Sequence, residues 1–103
     1  MMKFSIIDRP AAGALNIVKR KSFDKRTQDF IDTGKVESMG ICQGSVLEVV
    51  VAGDIAEKRG DVLAGELNGS CPNHITCLVV LGSTAAVKSA MKAIEAELAE
   101  RIY

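Results

Sequence analysis

The sequence has no tryptophan, one tyrosine and three phenylalanines, so aromatic residues make up only 4% of its 103 positions. A surface that stacks nucleic-acid bases needs aromatic side chains among its basic groups, and little here could supply them. Charge of one sign is missing too, because thirteen lysines and arginines balance thirteen aspartates and glutamates. A chain without net charge has no overall field to draw it to nucleic acid or to an anionic membrane. No apolar run could span a bilayer, and the opening Met1-Met2-Lys3-Phe4-Ser5-Ile6-Ile7-Asp8 is too short for a signal peptide. Cysteine is sparse. Cys42, Cys71 and Cys77 are an odd number at no CxxC spacing, which argues against a disulfide framework and fits a reducing, cytosolic setting.

What is present reads as one domain over residues 1–103, with 48% apolar and 25% charged residues, long enough for a core without staples. Lys3 to Asp8 alternates and predicts a short strand stopped by Asp8-Arg9-Pro10. Ala11 to Lys19 favours helix. From Lys19-Arg20-Lys21 to Gly34 runs a polar stretch with a helical turn or two, anchored by Phe23 and Phe30. Residues 11–35 thus form a charged helical insert. Its basic run is offset by Asp24, Asp29 and Asp32 and reads as a solvated surface.

Val36 to Cys42 predicts a strand, and Gly44-Ser45 offers a helix N-cap. Val46 to Val51 is ambiguous: it has strand propensity, yet Val46, Val49, Val50 and Ile55 fit a buried helix face. Asp61 to Leu67 and Ile75 to Leu81 read as strands, the second apolar on both faces. Gly82-Ser83 caps a helix with Val87, Met91, Ile94 and Leu98 as its buried stripe and a Glu97–Arg101 pair on its surface. Strand–helix–strand–turn–strand–helix is an α+β plan, half of a split-βαβ, ferredoxin-like sandwich.

Between the last two strands stands Gly69-Ser70-Cys71-Pro72-Asn73-His74. Gly69 permits positive φ, Pro72 fixes its own φ and Asn73 tolerates left-handed geometry, so a rigid turn is expected to display one thiol. Cys71 is either a small turn residue or a ligand, and a fixed, exposed thiol favours the ligand. One thiolate cannot make a metal site alone, which points toward symmetry. His74 could complete a Cys-x-x-His half-site for zinc, but it is the sole histidine and no second half-site exists. Cys77, among Leu78, Val79 and Val80, reads as a buried small hydrophobe, and Cys42 at a strand end as structural.

Met39-Gly40-Ile41, Ala52-Gly53-Asp54-Ile55-Ala56, Val62 to Leu67 and Val79-Val80-Leu81-Gly82-Ser83-Thr84-Ala85-Ala86-Val87 together resemble the bacterial microcompartment shell domain. The resemblance covers roughly Val36 to Leu98 and implies a helix for the ambiguous segment. The family's ordinary closing strand, which ends in an Arg-Pro pair, resembles Phe4-Ser5-Ile6-Ile7-Asp8-Arg9-Pro10 at the front of this chain, as in the circularly permuted branch. The Gly69-Ser70-Cys71-Pro72-Asn73 turn is similar to the cluster-binding turn of the permuted shell protein found with glycyl-radical enzymes. That resemblance implies a cyclic hexamer in the shell of a cytoplasmic microcompartment, with Cys71 holding an iron–sulfur cluster at the central pore. It also implies a non-enzymatic role, other shell proteins and an enclosed redox enzyme as partners, and Arg9 as the edge residue of lateral assembly. Two departures stand out: Gln43 replaces the usual edge lysine, and the extended N-terminal barrel strand of other permuted members is missing.

A cluster takes about four protein ligands, more than one chain offers. Three alternate copies of Cys71 around a sixfold axis could bind three irons of a 4Fe-4S cubane and leave the fourth open. Such a tile would move electrons, or deliver a cluster, across the shell. Two other classes stay open on the sequence. One is a ferredoxin-like metal- or small-molecule-binding oligomer, such as a trimeric signalling protein. The other is a thiol enzyme with Cys71 as nucleophile and His74 as base, although two residues of one tight turn rarely align for that work.

Overall fold

Ile75–Gly82 is apolar at almost every position because it is covered on both faces, and the rest of the chain is arranged around it. The computed structural model describes residues 2–68 and 75–103. Its elements are β1 (Lys3–Asp8), α1 (Ala12–Lys21), α2 (Lys25–Asp32), β2 (Ser38–Ser45), α3 (Val46–Arg59), β3 (Leu63–Leu67), β4 (Ile75–Gly82) and α4 (Thr84–Arg101). The strands form one antiparallel sheet in the order β1-β2-β4-β3, so β1 and β3 are its edges.

Alternation along the strands divides the core in two. Cys42, Ala64, Leu78 and Val80 point to one face and pack under α3 and α4 with Val49, Ala52, Ile55, Val87, Ala90, Met91 and Ile94. Met39, Val79 and Leu81 point to the other face and pack under α1 and α2 with Val18 and Ile31. The result is an α+β sandwich, with the polar stretch folded as two helices across its second face.

Local chemistry explains the helix boundaries. Ser45 begins α3 with a reciprocal capping box: its hydroxyl accepts from Glu48 N–H at 3.2 Å, while Glu48 accepts from Ser45 N–H at 2.8 Å. Ser83 caps α4 through Ala86 N–H at 3.2 Å. Asp24 caps α2 by accepting from Arg26 N–H at 2.9 Å. Gly40 lets α4 sit close on the sheet, since a Cβ there would lie 2.6 Å from the Met91 sulfur.

Four expectations need correction. β2 runs Ser38–Ser45 and not Val36 to Cys42, because pairing with β4 continues to the cap residue. Phe23 does not anchor the polar stretch; it is 66% exposed, and Phe30 alone packs against the core. Val46 and Val50 are exposed, since the stripe α3 buries is Val49-Ala52-Ile55-Ala56. Glu97 pairs with Arg59 at 2.9 Å, and Arg101 with Asp54 at 2.8 Å, so both charges tie α4 to α3 and not to each other.

Candidate functional site

The strand register gives the sheet two distinct ends. At one end, Lys3 pairs with Gln43, Gln43 with Cys77 and Cys77 with Leu67. At the other, Asp8 pairs with Ser38 and Ser38 with Gly82, beside Leu63–Leu81. The two rows are five residues apart on β1, or about 17 Å at roughly 3.3 Å per residue. The strand ends that flank residues 69–74 belong to the first row. Gly69, Ser70, Cys71, Pro72, Asn73 and His74 themselves lie outside the described residues.

The other two thiols are poor ligands by position. Cys42 is fully buried under α4, with its sulfur 3.8 Å from that of Met91, and burial, aided by Cys77, pushes it up to about 12. Cys77 points to the opposite face, half-buried, and burial raises its pKa as well. Cys42 has no exposed surface through which an ion could reach it, and the two sulfurs stand on opposite faces of the sheet, so they cannot share one ion. Of the two, Cys42 is the more deeply buried, because its position on β2 faces α4 squarely while Cys77 stands near the open end of the sheet. Among the described residues no three histidine, cysteine or acidic side chains are grouped to hold a metal.

Arg9 occupies the second end. It is the one non-glycine described with positive φ, at 49°. Several bonds hold it there. Arg9 N–H donates to Glu37 O at 2.7 Å. The Ser38 hydroxyl donates to Asp8 at 2.8 Å and lies 2.8 Å from the Thr84 hydroxyl. The Glu37 carboxylate accepts from Thr84 N–H at 3.3 Å. The corner is built, and the guanidinium projects from it into solvent. Gln43, by contrast, belongs to the row of Cys77.

Sequence reasoning missed a groove over the β3 edge. It is lined by Phe23 and Asp24, by Val46, Val50, Gly53, Asp54 and Glu57 of α3, and by Gly65, Glu66 and Thr76. The α3 positions follow a second helical stripe beside the buried one, a signal present in the spacing 46-50-53-54-57.

No protein-family model and no curated protein matches the chain. Solved structures do. The ligand-free GrpU microcompartment shell protein from Pectobacterium wasabiae is 29% identical, with a TM-score of 0.70 over 90% of this chain and 99% of that one. The ligand-free GrpU microcompartment shell protein from Clostridiales bacterium 1_7_47FAA is 26% identical, with a TM-score of 0.63 over 90% and 87%. The fused permuted hexameric shell protein of the RMM microcompartment shares the fold at 19% identity and a TM-score of 0.65, matching 94% of this chain and 45% of its own.

Proposed function

We propose that this chain is a bacterial microcompartment shell protein of the circularly permuted kind, a cyclic hexamer whose pore turn, Gly69-Ser70-Cys71-Pro72-Asn73, holds a shared iron–sulfur cluster. The observation that carries this reading is the polarity of the sheet. The strand ends flanking the Cys71 turn and the Arg9 corner stand at opposite ends, about 17 Å apart along β1. A tile needs one end at its axis and the other at its rim.

The donor set fits a group held between chains and not within one. Cys42 is buried under α4 and Cys77 stands on the opposite face of the sheet, so the two cannot share one ion, and Cys71 is the thiol we assign to the cluster. Convergence of several copies on an axis supplies what one lacks. A bound cluster would supply one-electron chemistry. β3 and β4 end on either side of residues 69–74, and the Thr76 hydroxyl ties those ends together through Glu66 at 2.9 Å and Leu67 O at 3.3 Å. At the rim Arg9 makes the lateral contact to neighbouring tiles. The role is structural and electron- or cluster-transferring, without a catalytic residue. Other shell proteins and an enclosed redox enzyme are its partners.

Anaerobic purification tests the reading. The wild-type protein is expected to be brown and hexameric by native mass spectrometry, and Cys71→Ser colourless and still hexameric. A monomer or dimer at micromolar concentration, or colour that survives in Cys71→Ser, overturns it.

A further inference from the structure

We propose that copies of this chain join head to tail through two unlike surfaces: the groove over β3 on one copy receives the face beside β1 on the next. The inference rests on the ring reading above and adds which residues close the ring.

The groove over β3 has a volume of about 600 Å³ and carries three exposed apolar side chains, Phe23 at 66%, Val46 at 50% and Val50 at 66%. Four carboxylates line it, and their partners differ. Asp24 is matched by Arg26, Asp54 by Lys58 and Arg101, and Glu57 by the Ala64 N–H with Arg26 at 4.0 Å. Glu66 meets only the Thr76 hydroxyl among the described residues, so its charge is left over. The second surface lies at the other edge of the sheet. Phe4 and Ile6 are 38% and 41% exposed beside Met91, and Lys92 and Glu95 border them. Lys88 and Lys92, one turn apart on α4, have no carboxylate within ion-pair distance among the described residues. One patch is apolar with a spare negative charge, and the other is apolar with spare positive charge.

Three considerations favour this pairing over others. A patch meeting its own copy across a twofold axis would set Glu66 against Glu66, or lysines against lysines, which repel. Sheet-to-sheet pairing through β3 is blocked: Ala64 N–H is taken by Glu57 at 2.9 Å, Ala64 O is met by Arg26 at 3.5 Å, and Asn68 N–H is bonded to Lys21 O. The contact must therefore be made by side chains. Finally, both patches reach the same end of the sheet, since Phe4 pairs with Cys42 and Val46 follows the Ser45–Ile75 row. Unlike surfaces on opposite edges generate a closed ring when the rotation closes, and this one directs the ends flanking residues 69–74 inward.

Two single-residue variants at exposed positions test it, Val50→Asp in the groove and Ile6→Asp beside β1. Each alone is expected to fall from ring to monomer with an unchanged far-ultraviolet circular dichroism spectrum. Mixed one to one, they should form dimers, because each retains the surface the other lacks, and no ring can close. A mixture that remains monomeric, or that rebuilds full rings, overturns the head-to-tail assignment. Variants that stay hexameric overturn the assignment of surfaces while leaving the ring itself intact. A wild-type chain that is not a ring defeats the ring reading first, so the two failures are told apart.

Discussion

Replacing Arg9 by glycine separates folding from assembly in one substitution. Arg9 sits at φ 49°, where an L-residue with a Cβ pays about 1–2 kcal/mol. Glycine relieves that cost but loses about 0.5–1 kcal/mol to the greater freedom of its unfolded chain. The backbone bond from Arg9 N–H to Glu37 O survives either way, because no side-chain atom makes it. Arg9→Gly should therefore be more stable than wild type by about 0.5–1 kcal/mol. Arg9→Ala keeps the Cβ and the strain, and should unfold within about 0.5 kcal/mol of wild type. Urea denaturation at fixed protein concentration measures both. Each variant should remain a ring yet form two-dimensional sheets poorly under the electron microscope. An Arg9→Gly protein less stable than Arg9→Ala refutes the left-handed corner, and loss of the ring in either variant moves Arg9 from the rim to the contact between subunits.

Other consequences follow from the core and its caps. Gly40→Val should destabilise by about 1–3 kcal/mol through collision with Met91, and Met91→Ala by about 2–5 kcal/mol; the double variant should cost less than the sum, and strict additivity in urea melts would refute the close contact. Ser45→Ala should cost about 1 kcal/mol by removing the capping box, read as a lowered melting temperature. The Ser45 backbone N–H holds the Glu48 carboxyl below its ordinary value, so the stability it lends is present above about pH 4.3 and is lost as pH falls through the folded value; Glu48→Gln should flatten that part of a melting-temperature profile against pH. Cys42→Ser and Cys77→Ser should both keep the brown colour, with Cys42→Ser the less stable, since it places a hydroxyl in a fully buried apolar site.

Much of the architecture was legible because binary pattern and capping chemistry agreed. β1 is found at Lys3–Asp8 because alternation and Pro10 mark it on both sides, and α4 follows its cap Ser83 because the stripe Val87-Met91-Ile94 is unambiguous. Val46 to Val51 was not legible by propensity, since four β-branched residues compete with helical spacing; the Ser45–Glu48 capping box and contact with the sheet decide it. The burial of Val46 and Val50 was misread because apolar spacing reports a sticky face without saying what covers it. For the same reason Phe23 looked like an anchor although it stands in the open. The ion pairs of Glu97 and Arg101 were misassigned because i,i+4 spacing cannot foresee α3 lying alongside with Arg59 and Asp54. Of the site, the sequence supplied the residue types of the turn and the Arg9–Pro10 strand end. That the strand ends flanking residues 69–74 and the Arg9 corner stand at opposite ends of one sheet needed the strand register, which depends on pairing distant along the chain.

The central claim is that one cluster is shared among chains, and iron and acid-labile sulfide counted per chain test it most directly. Protein purified without oxygen should carry about one four-iron cluster per six chains, well below one cluster per chain. A full cluster on every chain would contradict the account, because Cys71 alone cannot supply the roughly four ligands a cluster takes.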